Sequence, residues 1–144
     1  MEDAPAYEGR CFCGEVGVRV TGKPAGMGYC HCDSCRRWSA SPVNAFTLWP
    51  PDAVEITHGA ESLASYSATP RSERKWCRNC GGHVLTEHPQ MGLTDVYAAV
   101  IPEFPFDPGM HVHYQEAVVS IPDGLTKMRD VPAEMGGSGE TTPE

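Results

Sequence analysis

The sequence predicts a mainly β fold built from short antiparallel strands. The chain contains 15 glycines and 13 prolines among 144 residues, which favours frequent turns and disfavours long helices. Short β-prone stretches recur along the chain, each bounded by Gly, Pro, Asp or Ser. No window of a dozen residues shows a sustained period of 3.6, so helix is expected to be a minor component.

The clearest predicted strand covers residues 15–20, where Val16, Val18 and Val20 alternate onto one face before a turn sequence. Residues 33–39 are predicted to form a helical turn after Cys32, with Asp33 or Ser34 as its cap. The remaining predicted strands cover residues 43–48, 53–57, 63–67, 74–77, 83–86 and 95–101. Residues 111–114, which follow a proline-rich stretch, are predicted to form the final strand or an edge segment.

The chain length suits a single domain, which we place at residues 9–131. Residues 1–8 are predicted to form an N-terminal extension and residues 132–144 a flexible C-terminal tail, because the glycine-rich end of the chain has little apolar surface to bury. We find no internal repeat, and the sequence predicts no domain boundary between residues 8 and 131.

Charge and composition exclude several classes of protein. The formal net charge of −8 opposes the neutralisation of phosphates on which nucleic-acid binding depends. The longest apolar run, residues 96–101, is too short to span a bilayer, and no apolar stretch follows the acidic N-terminus. We therefore predict a cytoplasmic protein that binds neither nucleic acid nor membrane. In a reducing cytosol, its cysteines indicate metal binding or catalysis more than disulfides.

The seven cysteines fall into three short groups. These are Cys11 and Cys13; Cys30, Cys32 and Cys35; and Cys77 and Cys80. A gap of two residues between cysteines lets one tight turn direct both sulfurs at a single zinc ion, and Gly81 after the second cysteine can adopt the backbone conformation of such a turn. The grouping therefore predicts zinc as the cofactor.

Seven thiols divide into four and three, and this division has a chemical meaning. A site with four cysteine ligands is structural, whereas three protein ligands leave a coordination position for water or substrate. The group from Cys30 to Cys35 can supply three thiolates from one loop, so we pair the other two groups through the fold. A disulfide framework is the alternative, but the odd number of cysteines and the one-residue gaps argue against it.

The sequence also allows a second zinc site in which protein ligands fill all four coordination positions. Three cysteines and one histidine form a structural zinc site, and the candidate histidines are His31, His83, His111 and His113. His111 and His113 would alternate onto one strand face, where they could act as acid or base or simply be hydrogen-bonded.

Three segments, residues 9–16, 30–36 and 74–81, resemble the glutathione-dependent formaldehyde-activating enzyme family, which also includes centromere protein V. The resemblance covers residues 9 to about 114. It implies a β-tent fold and two zinc ions, with a structural ion on Cys11, Cys13, Cys77 and Cys80 and a second ion on Cys30, Cys32 and Cys35. It also implies carbon–sulfur lyase chemistry, the reversible joining of glutathione and formaldehyde.

These observations lead to one preferred function and one alternative. The preferred function is a zinc lyase that acts on an adduct of a small, glutathione-like thiol and an aldehyde such as formaldehyde, with Cys30, Cys32 and Cys35 as its catalytic group. Arg36, beside that group, is predicted to bind a substrate carboxylate, although Arg37, Arg71 and Arg74 are also candidates and all four could be surface arginines. The alternative is a zinc-stabilised binding module in which both zinc sites are structural. The sequence does not determine the exact substrate or the oligomeric state.

Overall fold

The computed structural model describes residues 4–144, which form eleven strands and one α-helix. The strands are β1 (Ala6–Arg10), β2 (Gly17–Thr21), β3 (Gly26–Cys30), β4 (Asn44–Trp49), β5 (Val54–His58), β6 (Leu63–Thr69), β7 (Ser72–Cys77), β8 (His83–His88), β9 (Leu93–Tyr97), β10 (Met110–Val112) and β11 (Thr126–Lys127), and the helix α1 is Asp33–Ser39. The predicted mainly β fold of short strands is confirmed.

The described residues divide into two compact units. The first unit contains the residues up to Gly26 together with Thr47–Phe106, and the second contains Met27–Phe46 and Asp107–Glu144. Four cysteines lie in the first unit, Cys11, Cys13, Cys77 and Cys80, and the other three lie in the second. The two candidate sites can therefore be described separately. The domain limits predicted from the sequence, residues 9–131, stay a prediction.

The first unit contains a three-stranded antiparallel sheet of order β1-β2-β5. Val16, Val18 and Val20 have no exposed surface, which confirms the alternation that predicted the strand of residues 15–20. Strand β1 was not predicted, because its residues alternate only between exposed and partly exposed. Gly9 lies so close to the backbone carbonyl of Val100 that a Cβ atom there would overlap it, so this part of β1 requires glycine.

The first unit also contains four successive antiparallel strands, β6 to β9, each paired with the next. Strand β7 ends at Cys77 and a tight turn leads to β8. The predicted strand of residues 95–101 ends early, because β9 stops at Tyr97 and a 3₁₀ turn, Ala98–Val100, follows it. A short apolar run can form either a strand or a buried turn, and its period alone does not distinguish them.

The second unit contains the order β3-β10-β11, in which β10 runs parallel to both of its neighbours. The fold is therefore not purely antiparallel. The prediction of a final strand or an edge segment over residues 111–114 was wrong. β10 stops at Val112, β11 follows it in the chain, and β10 lies between β3 and β11 in the sheet. His113 has a φ of 53°, outside the β region, so His111 and His113 do not share a strand face.

Helix α1 covers the predicted residues, but its cap differs from the prediction. The N-cap is Cys32, whose Sγ accepts a hydrogen bond from the backbone N–H of Cys35 at 3.3 Å. Asp33 and Ser34 are the first residues of the helix itself. A cysteine predicted as a metal ligand therefore also begins the helix.

The C-terminal segment, residues 132–144, makes specific contacts within the second unit. Thr141 forms an isolated antiparallel bridge with Met128, and the Glu140 carboxylate accepts from Arg129 at 3.0 Å. The carboxylate of Glu144 accepts from the ammonium group of Lys127 at 2.9 Å. The predicted flexibility of residues 132–144 in solution stays a prediction.

Within residues 4–144, no helix combines the length and the hydropathy needed to cross a membrane.

Candidate metal centres

The first unit brings together the two cysteine pairs that lie far apart in sequence. Cys11 and Cys13 lie in the loop after β1, Cys77 ends β7, and Cys80 lies in the turn before β8. The sulfur atoms of these four cysteines all lie within 4.8 Å of one another. The structure thus forms the four-thiol group that the sequence pairing predicted, and this group could hold a metal ion.

The sulfur spacings match tetrahedral thiolate coordination. Cys11 Sγ lies 3.7 Å from Cys13 Sγ, and Cys13 Sγ lies 3.8 Å from Cys77 Sγ. A zinc–sulfur bond of about 2.3 Å places the corners of a regular tetrahedron about 3.8 Å apart. None of the seven cysteines, all of which lie in the described part of the chain, is in a disulfide.

Backbone and side-chain N–H groups surround this four-thiol group. Val16 N donates to Cys11 Sγ, Gly82 N donates to Cys80 Sγ, and the side-chain amide of Asn79 donates to Cys13 Sγ, each at 3.3 Å. Such donors stabilise thiolates, which are the forms that bind metal. The turn depends on Gly81, whose φ of 77° is the special backbone conformation that the sequence predicted for this glycine. Its N–H donates to Cys77 O at 2.7 Å.

The thiols of the four-thiol group differ in acidity. The hydrogen bond from Asn79 lowers the pKa of exposed Cys13 to about 6, and a backbone hydrogen bond from Glu15 acts in the same direction. Burial raises the pKa of Cys77 to about 11. Without a cation, the buried sulfur therefore favours the neutral thiol, and a bound cation would offset the repulsion among four thiolates.

The second unit holds the three-thiol group, whose members lie close together in sequence. Cys30 ends β3, Cys32 caps helix α1, and Cys35 lies in the first turn of that helix. The three sulfurs lie within 4.8 Å of one another, and Cys30 Sγ is 3.7 Å from Cys35 Sγ. This spacing also matches an edge of a zinc–thiolate tetrahedron, about 3.8 Å. The three-thiol group could therefore hold a second metal ion.

The hydrogen bonds among these thiols concentrate negative charge on one sulfur. Hydrogen bonds from Cys30 and Cys35 hold the pKa of Cys32 far below its usual range. The same contacts, together with burial, raise the pKa of Cys30 well above its usual value. In the absence of a cation, Cys32 is therefore a thiolate more readily than Cys30, and three thiolates require a positive ion beside them.

No histidine from residues 4–144 belongs to the three-thiol group. His31 is wholly buried, and its Nε2 lies 2.8 Å from Nδ1 of His111. His113 Nδ1 lies 3.5 Å from the carboxylate of Glu116, and His83 lies on β8 in the first unit. Burial is the main cause that lowers the pKa of His31, to about 4, so this imidazole is neutral at neutral pH.

Arg36 lies beside the three-thiol group, as the sequence order requires. Its Nε donates to the backbone carbonyl of His31 at 2.9 Å, and its Nη2 lies 3.8 Å from the Asp33 carboxylate. Part of the guanidinium therefore holds the loop that connects Cys30 and Cys32. The binding of a substrate carboxylate by the remaining donors stays a prediction.

The structure also reveals a polar network that the sequence did not predict, in which the buried side chains of His111 and Lys127 share the partly exposed carboxylate of Asp123. His111 Nε2 lies 2.8 Å from Asp123 Oδ2, and Lys127 Nζ lies 2.5 Å from Asp123 Oδ1. The donor groups of Lys127 and His111 hold the pKa of the Asp123 carboxyl well below its usual range. In the sequence, Asp123 precedes Gly124 and is typical of a turn, so no local signal indicates this role.

The fold and these two groups define a class of protein: a mainly β chain with two separate clusters of cysteine thiols that could each hold a metal ion. The family model described as "Glutathione-dependent formaldehyde-activating enzyme" matches residues 6–116. The chain belongs to this family, as the resemblance in its sequence predicted.

Individual relatives agree with this assignment. An "Uncharacterized lyase" of Schizosaccharomyces pombe is 32% identical over 77 residues, which cover 54% of this chain and 54% of the relative. A "Putative glutathione-dependent formaldehyde-activating enzyme" of Penicillium rubens is 30% identical over 100 residues, 65% of this chain and 52% of the relative. The chain thus spans about half the length of these curated relatives.

A solved structure supports the fold alone. The crystal structure of a Rhodobacter sphaeroides protein aligns with a TM-score of 0.56 and 22% sequence identity. The alignment covers 70% of this chain and 91% of that one.

Proposed function

We propose that this protein is a zinc-dependent carbon–sulfur lyase that joins a small thiol to an aldehyde and cleaves the resulting adduct. Glutathione and formaldehyde are the substrates that we favour, as the names of the family and of its relatives suggest. The observation that carries the proposal is the three-thiol group, because its three sulfurs lie within 4.8 Å of one another and no described histidine joins them as a fourth ligand.

The two thiol groups have different proposed roles. We assign the four-thiol group to a structural zinc ion, because its four thiolates complete a tetrahedral coordination shell and tie two distant segments of the first unit together. We assign a second zinc ion to the three-thiol group. There, one coordination position is left for a substrate.

The reaction is an addition of a thiol to a carbonyl group. A zinc ion held by three thiolates would supply a site where an incoming thiol binds as the thiolate at neutral pH. In the joining direction, the substrate sulfur bonds to the carbonyl carbon and the thiol proton ends on the carbonyl oxygen. Cleavage of the adduct reverses both changes.

The protein's own side chains hold and orient the substrate in this proposal. Cys30, Cys32 and Cys35 bind the ion, and Arg36 binds a carboxylate of the thiol substrate through the donors not used on His31. The net charge of −8 repels an anionic tripeptide at long range. A local arginine is therefore needed to offset that repulsion. We also propose a cytoplasmic location, where glutathione would be available.

The purified protein should contain two zinc ions per chain. This expectation follows from the two groups of thiols whose sulfur spacings of 3.7 and 3.8 Å match a tetrahedral edge. Elemental analysis by mass spectrometry counts the ions, and zinc should be restored before counting because the three-ligand site loses its ion more easily. A folded, metal-free protein with several disulfides would overturn the assignment.

Titration of the zinc-loaded protein with glutathione should give saturable binding by calorimetry, and addition of formaldehyde should give the S-hydroxymethyl adduct. Arg36→Lys is the matched variant, because it keeps the charge but removes the two-pronged contact with a carboxylate. We expect it to weaken glutathione binding about tenfold while both zinc ions are retained. If no thiol binds at millimolar concentration with both ions in place, the protein is a binding module and the lyase proposal fails.

A further inference from the structure

A chain of hydrogen bonds runs through the second unit from Asp123 to the loop of the three-thiol group. Asp123 Oδ2 lies 2.8 Å from His111 Nε2, and His111 Nδ1 lies 2.8 Å from His31 Nε2. His31 stands between Cys30 and Cys32 in the sequence. Both imidazoles have no exposed surface, so each ring nitrogen is restricted to the partners inside the protein.

The acceptors and donors in this chain determine where each proton resides. A carboxylate only accepts, so His111 Nε2 carries a proton and donates to Asp123. His31 Nδ1 is buried and has no hydrogen-bond partner among the described residues, so a proton on that atom would have no acceptor. The proton of His31 therefore lies on Nε2 and is donated to His111 Nδ1, which carries no proton. His31 Nδ1 is the bare nitrogen at the end of the chain.

The loop that carries His31 is held from two directions. The side chain of His31 is hydrogen-bonded to His111 on β10, and the backbone carbonyl of His31 accepts from Arg36 Nε at 2.9 Å. The ring of Tyr114 packs edge-on against that of His31, with 4.8 Å between the ring centroids. The positions of Cys30 and Cys32 on either side therefore depend on how the His31 ring is held.

We propose that Asp123 is a positioning residue that acts through His111 on His31, and that the proton arrangement it imposes keeps the Cys30–Cys32 loop in the geometry that binds metal. This inference rests on the proposed metal-binding role of the three-thiol group. Its support is geometric: two ring-to-partner distances of 2.8 Å, complete burial of both rings, and a bare Nδ1 in a position where a proton would have no acceptor.

The surroundings of Asp123 make Asp123→Asn a specific test. Oδ1 of Asp123 accepts from Lys127 Nζ at 2.5 Å and from Leu125 N at 3.1 Å, and both of these groups can only donate. The amide oxygen of the asparagine must therefore take the Oδ1 position, and its NH₂ group must face His111 Nε2. Every proton in the chain then reverses, so that His111 donates from Nδ1 and His31 carries its proton on Nδ1.

Glu144→Gln is the matched control. Glu144 also accepts from Lys127 Nζ, at 2.9 Å, but it makes no described contact with either histidine. Both variants therefore remove one carboxylate charge from the same buried lysine, whose exposed fraction is 2%. Only Asp123→Asn changes the partner of His111.

The experiment measures histidine ¹⁵N chemical shifts in the zinc-loaded full chain and the affinity of each thiol group for Co²⁺ by absorbance. In the wild type and in Glu144→Gln, we expect His31 and His111 protonated on Nε2 alone. In Asp123→Asn, both protons should move to Nδ1. The Co²⁺ affinity of the three-thiol group should fall about tenfold, as for other residues that support metal ligands from the outer shell, while the affinity of the four-thiol group should stay unchanged.

Three results would overturn the inference. The first is a wild-type His31 that carries its proton on Nδ1, or a doubly protonated His111; this measurement needs no variant and stands even if Asp123→Asn does not fold. The second is an equal loss of Co²⁺ affinity in Glu144→Gln, which would assign the effect to Lys127. The third is inverted protons in Asp123→Asn with unchanged affinity. None of these readouts uses a thiol or an aldehyde, so a failure of the lyase proposal would be recognised separately.

Discussion

Cys77→Ala is expected to unfold the protein or to remove most of its stability. Cys77 has no exposed surface and lies in the four-thiol group that joins the loop after β1 to the turn after β7. Zinc binding contributes about 10–16 kcal/mol to the folding of small zinc peptides, whereas a whole domain is stable by only about 5–15 kcal/mol. Thermal and urea unfolding followed by circular dichroism would measure the loss.

Cys13→Ser separates loss of the metal from loss of packing. Cys13 belongs to the same four-thiol group but is exposed, so its replacement leaves no buried cavity. We expect it to destabilise the protein by several kcal/mol, on the order of the loss caused by a strong chelator in the wild type. If Cys13→Ser has the stability of the wild type while Cys77→Ala unfolds, packing alone explains the effect and the structural zinc assignment is wrong.

Cys32→Ser should abolish thiol binding and adduct formation, with a fall of at least about a thousandfold in kcat/KM, while the fold is retained. Cys32 supplies a sulfur of the three-thiol group whose pKa is held far below its usual range by hydrogen bonds from Cys30 and Cys35. It also caps helix α1 by accepting from Cys35 N. Serine is a good N-cap residue, so this substitution removes the metal ligand and keeps the cap. The rate figure is the size expected when a metal needed for the chemistry is lost.

Cys32→Ala is the companion variant, because it removes both the ligand and the cap. We expect it to be as inactive as Cys32→Ser and less stable by about 1 kcal/mol, the usual cost of a lost cap. Both variants should retain the ion in the four-thiol group, which elemental analysis would show as one zinc per chain. If Cys32→Ser instead destabilised the protein as much as Cys13→Ser, the three-thiol group would be structural too, and the binding-module alternative would be favoured.

Several features of the fold and site could be predicted because their causes are local in sequence. The alternation of Val16, Val18 and Val20 requires one buried strand face, whatever the strand pairs with. The short cysteine gaps at residues 30–35 and 77–80 place their sulfurs near one another in any turn, and Gly81 has the positive φ that such a turn needs. The count of seven cysteines then led to a division into four and three.

Other features were not predictable because they depend on contacts between distant segments. The parallel pairing of β10 with β3 places His111 beside Tyr29, within reach of His31, and nothing in the sequence near residue 111 indicates that partner. The positive φ of His113 removes it from the strand on which alternation had placed it. The cap of α1 is Cys32 because its sulfur, held in the three-thiol group, reaches the N–H of Cys35.

The sequence by itself determined which residues are candidate metal ligands, since thiols with short gaps and a turn glycine have few uses other than metal binding. The tertiary structure alone decided how these residues are supported. The closing of the four-thiol group across 64 residues, between Cys13 and Cys77, and the meeting of Asp123 with His111 follow from how strands pack. Burial of Cys77 and His111 makes these contacts decisive, because a polar atom inside the protein has only the partners that the packing provides.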